Sequence, residues 1–216
     1  MRSYRQYCSV ARTLDVVGDR WTLLIVRELL LQGPCRYTDL QDALPGIATN
    51  LLADRLRDLE AAGLIVRQEA PPPIATTLFR LTERGEALGP VIDELGRWGL
   101  PLMVGGPKDD AFRTHWLSMP ARLALTDRDP NRSPVTIEVR TGEEEPMYIE
   151  TARGSIRTHR GAAEHPDLVL SGEPNTIGRL LTGNIGLAKA RRLGLKYEGD
   201  PEVLARVLPE KETSTN

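Results

Sequence analysis

The chain has 216 residues, of which 40% are hydrophobic and 27% charged, with a formal net charge of −2. That length accommodates one large domain or two small ones, and the balance is that of a soluble globular chain rather than a disordered one. Near-neutral charge means that any polyanionic partner has to be met by a local basic surface.

No apolar run approaches the roughly 18–20 residues that a membrane span needs. The longest, Trp21 to Leu31, is interrupted by Arg27 and Glu28, and the opening MRSYRQYCSV lacks the apolar centre of a signal peptide. A cytoplasmic location and no membrane partner are therefore expected. Cys8 and Cys35 are too few for a disulfide scaffold, and neither they nor His115, His159 and His165 have ligand spacing, so no metal and no cofactor are expected. Nucleophile elbow, phosphate loop and paired carboxylates are all missing, which argues against an enzyme.

In chain order, Val10, Leu14 and Val17 recur at helical spacing, and Gly18 ends that helix. Asp19 is placed to cap a second helix carrying Trp21, Leu24, Ile25 and Leu29 on one side, which Gly33-Pro34 stops. A short helix runs over about Tyr37–Ala43, Pro45-Gly46 turns, and a stronger helix runs from about Thr49 to Ala62, ending at Gly63. A strand at Leu64–Gln68, a proline-rich tip at Ala70–Pro73 and a strand at Thr77–Thr82 make a hairpin. Glu83 to Met103 reads as one helix with Leu88, Ile92, Leu95 and Leu102 along a face and a kink at Pro90. Two helices joined by a tight turn and followed by a hairpin describe a winged helix-turn-helix.

On a wheel of about 100° per residue, Leu51, Leu52, Leu56 and Leu59 share the inner side of the Thr49–Ala62 helix. Asn50, Ala53, Asp54 and Arg57 share the outer side, with Thr49 on its flank. In a major groove Asn50 would pair with adenine, Ala53 would approach a thymine methyl, and Arg57 would hold a phosphate. Asp54 would accept from cytosine or hold Arg57. Arg67, Thr76, Thr77 and Arg80 on the hairpin, and Arg36 at the start of the preceding helix, suit backbone or minor-groove contacts. Taken singly, each of these is also what any solvated surface shows.

Val104–Asp110, with its Gly-Gly-Pro, reads as a linker between domains at 1–103 and 111–208, and 209–216 as a polar tail. A helix near Phe112–Leu125 is followed by strands at Pro134–Thr141, Met147–Thr151, Ser155–His159 and Asp167–Ser171, which look like an antiparallel meander with one face buried. Helices at Thr176–Thr182, Gly186–Leu193 and Glu202–Leu208, and a strand at Leu195–Glu198, complete the pattern. The expected fold is thus a mainly α winged helix-turn-helix domain followed by a smaller α+β domain, an antiparallel sheet covered by helices.

Gly18-Asp-Arg-Trp-Thr-Leu-Leu-Ile25, Arg36-Tyr-Thr-Asp-Leu40, Leu44-Pro-Gly-Ile47, Leu52–Leu64 and Leu81-Thr-Glu-Arg-Gly85 together resemble the HxlR-type winged-helix regulators over about residues 5–103. The resemblance implies a homodimer, built by the first and last helices of the domain, on a pseudo-palindromic double-stranded DNA operator. Ala48-Thr49-Asn50 departs from the serine-proline-basic start common in that family, which removes one charge and leaves the recognition helix with a weaker N-cap. Cys8 sits where many members carry a cysteine that senses electrophiles or oxidants; such a thiol needs access and a nearby positive charge, and Arg5 and Arg12 are close in sequence.

Asp167–Asn175, Leu180–Asn184 and Leu195–Leu204 resemble the sterol-carrier-protein-like fold. That resemblance implies an apolar small-molecule effector, with Trp116, Met147, Ile149, Ile156, Leu168, Leu170, Ile177 and Leu181 lining its site. The same alternation is what any core contains, and the domain can equally serve dimerisation or partner docking. The leading reading is a regulator, with repression the expected sense. The alternatives are a thiol sensor acting through Cys8, and a lipid carrier or enzyme whose winged helix serves protein contacts.

Overall fold

The computed structural model describes residues 3–70, 76–103 and 110–209. The chain forms two units, residues 1–96 and 97–216. The division falls ahead of the expected linker, and the second unit is the longer one. Most of that linker (104–109), most of the wing tip (71–75) and the tail from 210 onward lie outside the described residues.

In the first unit, helix α1 spans Ser9–Val17 and α2 spans Thr22–Gln32. The turn between them differs from expectation. Trp21 takes φ 78 at the start of α2 and no side chain caps the helix. The backbone carbonyl of Asp19 accepts from the Thr22 amide at 3.2 Å, while the Asp19 carboxylate reaches Arg55 at 2.9 Å. Asp19 therefore joins two helices instead of capping one. Ile25 and Leu29 are buried, but Leu24 is exposed because it sits one residue off their stripe.

Helix α3 spans Tyr37–Ala43 and α4 spans Thr49–Ala61. Leu52, Leu56 and Leu59 of α4 are buried together with Leu40, Leu44 and Ile65, while Leu51 is only half-buried. The wing strands β1, Ile65–Glu69, and β2, Thr77–Leu81, pair antiparallel with Ile65 opposite Leu81 and Arg67 opposite Phe79. Cys35 adds a third backbone segment to this sheet. Its amide donates to the Phe79 carbonyl at 2.9 Å and its carbonyl accepts from the Phe79 amide at 2.7 Å.

The single kinked helix expected from Glu83 to Met103 is three pieces: α5 (Glu83–Glu86), α6 (Gly89–Gly99) and a 3-10 turn at Leu100–Met103. Thr82 caps α5 by accepting from the Gly85 amide at 3.1 Å. A side chain at Gly85 would place its Cβ 2.1 Å from the Leu64 carbonyl oxygen, so only glycine lets α5 lie against the wing. Pro90 falls in the first turn of α6, where a missing N–H leaves no hydrogen bond broken. It helps to start a helix there, and it bends none. Ile92 is buried, but Leu95 and Leu102 are exposed and share no buried face with it.

In the second unit a 3-10 turn at Thr114–Leu117 runs into α7, Ser118–Ala124. Strands follow at β3 (Thr136–Arg140), β4 (Met147–Ala152), β5 (Ser155–Arg160) and β6 (Leu168–Ser171). Helices α8 (Pro174–Leu181) and α9 (Leu187–Arg192), strand β7 (Lys196–Gly199) and helix α10 (Glu202–Val207) complete it. The strand order is β5-β4-β3-β6-β7. The meander ends at β5. Strand β6 lies parallel to β3, with Ile137 opposite Leu168, so the sheet is mixed and not wholly antiparallel as expected.

The side chain of Glu138, only 1% exposed in mid-strand, explains how the crossing is held. It accepts from the Ala163 amide at 2.8 Å, inside the segment that carries the chain from β5 to β6. Asp167 then accepts from the Thr136 amide at 2.7 Å, which sets the parallel register. Leu168, Val169 and Leu170 are all buried, as suits a strand covered on both faces. At the far end, Arg206 of α10 grips Asp127 at 2.7 and 3.1 Å.

Candidate nucleic-acid interface

Helix α4 is held from inside by Leu52, Leu56 and Leu59, and this turns Asn50, Asp54 and Arg57 outward together, all exposed. The Asn50 side chain makes no hydrogen bond among the described residues. Arg57 is paired with Asp54 one turn earlier through its guanidinium. Ala53 is half-buried on the edge of the same surface. Ala48 stands at the N-cap with no side-chain hydrogen bond, in keeping with the sequence.

Thr49 has a different situation from the one its position on the wheel suggests. Its carbonyl accepts from the Tyr37 phenol at 2.7 Å, and its hydroxyl accepts from the Gln41 amide at 3.0 Å. Tyr37 and Gln41 are one turn apart on α3, so both reach the first turn of α4 from the same side. Neither was singled out from the sequence. The only signal was their i, i+4 spacing, which does not say what they face. Arg55 was also missed. It is 20% exposed and holds Asp19 at 2.9 Å and Asp58 at 2.6 Å, which fixes the rotation of α4 from its flank.

The wing does not present its two arginines together. Successive strand residues point to opposite faces. Arg67 shares a face with Phe79 and Thr77, lies over the Phe79 ring at 5.5 Å and pairs with Glu60 at 3.1 Å. Arg80 projects from the other face, exposed. Thr77 donates to Glu69 at 2.8 Å, and Thr76 is half-buried with its carbonyl accepting from Ala70. Arg36 is exposed at the head of α3, where its amide donates to Asp39 at 2.9 Å.

Cys8 is exposed at the N-cap of α1. The segment before it folds back on Asp15, whose carboxylate accepts from the Tyr4 amide at 2.7 Å and the Ser3 hydroxyl at 2.8 Å. These donors, with Arg12 beside them, hold the Asp15 carboxyl below its ordinary value. Cys35 is buried and donates its thiol to the Gly33 carbonyl.

In the second unit, the residues expected to line an effector site are core. Met147, Ile149, Leu168, Leu170, Ile177 and Leu181 have no exposed area and pack in one cluster, with Ile156 partly buried against it. Trp116 is half-buried with its ring edge-on to Phe112 and His115. Their alternation packs the sheet against its helices. An open cleft of about 420 Å³ lies elsewhere, lined by Thr141, Gly142, Gly172, Glu173, Pro174, Leu193 and Gly194. Among the described residues no group of His, Cys, Asp and Glu is placed to hold a metal, and no helix is long and apolar enough to cross a membrane.

Comparison with known proteins bears on the first unit. The HxlR-like helix-turn-helix family profile matches residues 16–104. The HTH-type transcriptional regulator YvaP of Bacillus subtilis is 33% identical over 87 residues, 40% of this chain and 80% of YvaP. Its counterpart YdzF from the same organism is 36% identical over 95 residues, 44% of this chain and 85% of YdzF. The reduced form of the transcriptional regulator YodB from B. subtilis superposes with a TM-score of 0.40 at 30% identity, covering 47% of this chain and 99% of YodB.

Proposed function

This chain belongs to the HxlR-like helix-turn-helix family of transcription regulators, and we propose that it binds a double-stranded DNA operator as a homodimer through α4. The observation that carries this reading is the outward projection of Asn50, Asp54 and Arg57 from a helix whose other side is locked by leucines. Asn50 is unengaged and suits an adenine edge; Arg57 suits a phosphate once Asp54 releases it. Ala53 allows close approach, and Thr49, held by α3, keeps its hydroxyl proton to donate. Arg36 from α3, and Arg80, Arg67, Thr76 and Thr77 from the wing, flank the helix contact along the backbone. An operator so occupied is closed to other proteins, so repression is the proposed sense.

Dimerisation is supported by apolar side chains that this chain leaves uncovered. Val10 and Leu14 of α1, and Val91, Leu95 and Trp98 of α6, are all exposed, Trp98 by 75%. Such patches on a folded surface mark a protein interface. A dimer places two α4 helices on half-sites about one helical turn apart, roughly 34–36 Å.

The test is selection of duplexes from a random pool by the full chain, followed by titration of Arg57→Ala. We expect a palindromic site, an affinity that falls with salt, and weaker binding by the variant. Failure to enrich any duplex would refute the reading.

A second reading, a thiol switch, is favoured by the exposure of Cys8 at the head of α1. Cys8→Ser would then remove any response of DNA binding to an oxidant or electrophile, and an unchanged response would dismiss it.

A further inference from the structure

The chain carries a net charge of −2, yet its charges are not evenly spread. Between Glu173 and Glu198 there is no carboxylate, while Arg179, Lys189, Arg191, Arg192 and Lys196 fall in that interval. Two of the four lysines of the chain are among them. The fold gathers four of these cations at one edge of the second sheet. Ala190 of α9 is fully buried in the core, so its neighbours Lys189, Arg191 and Arg192 are turned toward solvent. Lys196 opens β7, the edge strand, and is exposed.

These cations have no carboxylate partner among the described residues, in contrast to several arginines of the chain. Arg12, Arg27, Arg55, Arg57, Arg67 and Arg206 each pair with an acidic side chain. Among the described residues no ion pair engages Lys189, Arg191, Arg192 or Lys196. Arg191 is steadied by the ring of Tyr197, 5.6 Å from its guanidinium, which leaves its charge unneutralised. Lys189 and Arg192 are three apart on α9, the spacing at which like charges repel in the free protein. A polyanion is the partner that removes this repulsion.

We propose that this α9–β7 edge is a second, sequence-independent contact to the DNA backbone, made by the second unit of the same chain. The proposal rests on the DNA-binding reading of α4. Once α4 has engaged a site, the covalent link raises the effective concentration of the second unit at that duplex, and each phosphate that it meets adds affinity by counterion release. Lysines and arginines without base-reading geometry position a protein and do not specify sequence, so the contribution is equal on every duplex.

The experiment compares the full chain with the double variant Lys189→Gln, Arg192→Gln on two probes: a duplex selected by the full chain from a random pool, and a shuffled duplex of the same composition. The variant should bind both probes more weakly by the same factor. Its plot of log affinity against log salt should be shallower by about two per protomer, about four for the dimer, one for each phosphate that is no longer neutralised. The charge-keeping pair Lys189→Arg, Arg192→Lys should retain both affinity and slope, which separates charge from folding. Asn50→Ala, which removes a base contact, should instead lose more on the selected duplex. Unchanged affinity and slope in the glutamine variant, with a working Asn50→Ala control, would overturn the second contact and leave the α4 reading standing. Loss of sedimentation with phosphatidylserine vesicles, without loss of duplex binding, would assign the edge to a membrane and overturn it too. If the full chain enriches no duplex, both readings fall.

Discussion

The phenol of Tyr37 donates a 2.7 Å hydrogen bond to the carbonyl of Thr49, tying the middle of the helix-turn-helix to the first turn of its recognition helix. Beside it the Gln41 amide reaches the Thr49 hydroxyl at 3.0 Å. Ala48 supplies no cap, and these two bonds tie that end of the helix to α3 without satisfying its free amides.

Tyr37→Phe removes the first bond with little change in volume. We expect a stability loss of about 1 kcal/mol by chemical denaturation. Affinity for a selected duplex should fall more than affinity for a shuffled one, because it is the aim of Asn50 that is loosened. An equal loss on both duplexes would show that the bond only stabilises the fold.

Asp54 holds Arg57 on the exposed side of α4 and sets a carboxylate where phosphates would approach. Asp54→Asn should therefore strengthen binding to every duplex and steepen the salt dependence by about one per protomer, about two for the dimer. The reverse outcome, weaker binding with relaxed choice at one base pair, would mean that Asp54 reads a cytosine.

Leu95 is 47% exposed on α6, in the apolar set proposed to pair two chains. Leu95→Asp should shift sedimentation from dimer to monomer and reduce operator affinity by losing the second half-site. A dimer unaffected by this change and by Val10→Asp would place the interface elsewhere.

Asp127 and Arg206 form a doubly hydrogen-bonded ion pair with 1% and 10% of their side chains exposed. The Arg206 guanidinium, then the Asp129 and Gly154 amides, hold the Asp127 carboxyl below its usual range against the opposing effect of burial. A carboxyl whose value is depressed by folding stabilises the native state above its unfolded value, about 3.9. That contribution is lost as pH falls through the lower folded value. Acid unfolding of the second unit below about pH 4 should therefore be blunted in Asp127→Asn. At neutral pH that variant should be less stable by about 3 kcal/mol, since it leaves the largely buried Arg206 guanidinium without a carboxylate. An unchanged acid limb in the variant would show that other carboxylates govern it.

Much of the first unit was legible because its elements are local. The stripe of Leu52, Leu56 and Leu59 states both that α4 is a helix and which side is buried, and the outward placing of Asn50, Asp54 and Arg57 follows from the same period. The alternation in β3 to β5 was equally readable, since a period of two puts Ile137, Val139, Met147 and Ile149 on one face. What the sequence withheld were pairings between distant residues. It could not say that Asp19 would leave its own helix for Arg55, or that Arg67 and Arg80 would be separated by the wing. Nor could it say that β6 would run parallel to β3 under the hold of Glu138, or that the expected cavity lining would be packed as core. Periodicity reports which face of an element is apolar, because that depends on backbone geometry alone. Which other element covers that face, and which charge reaches across to it, depends on how the chain closes in space, and only the tertiary structure decides it.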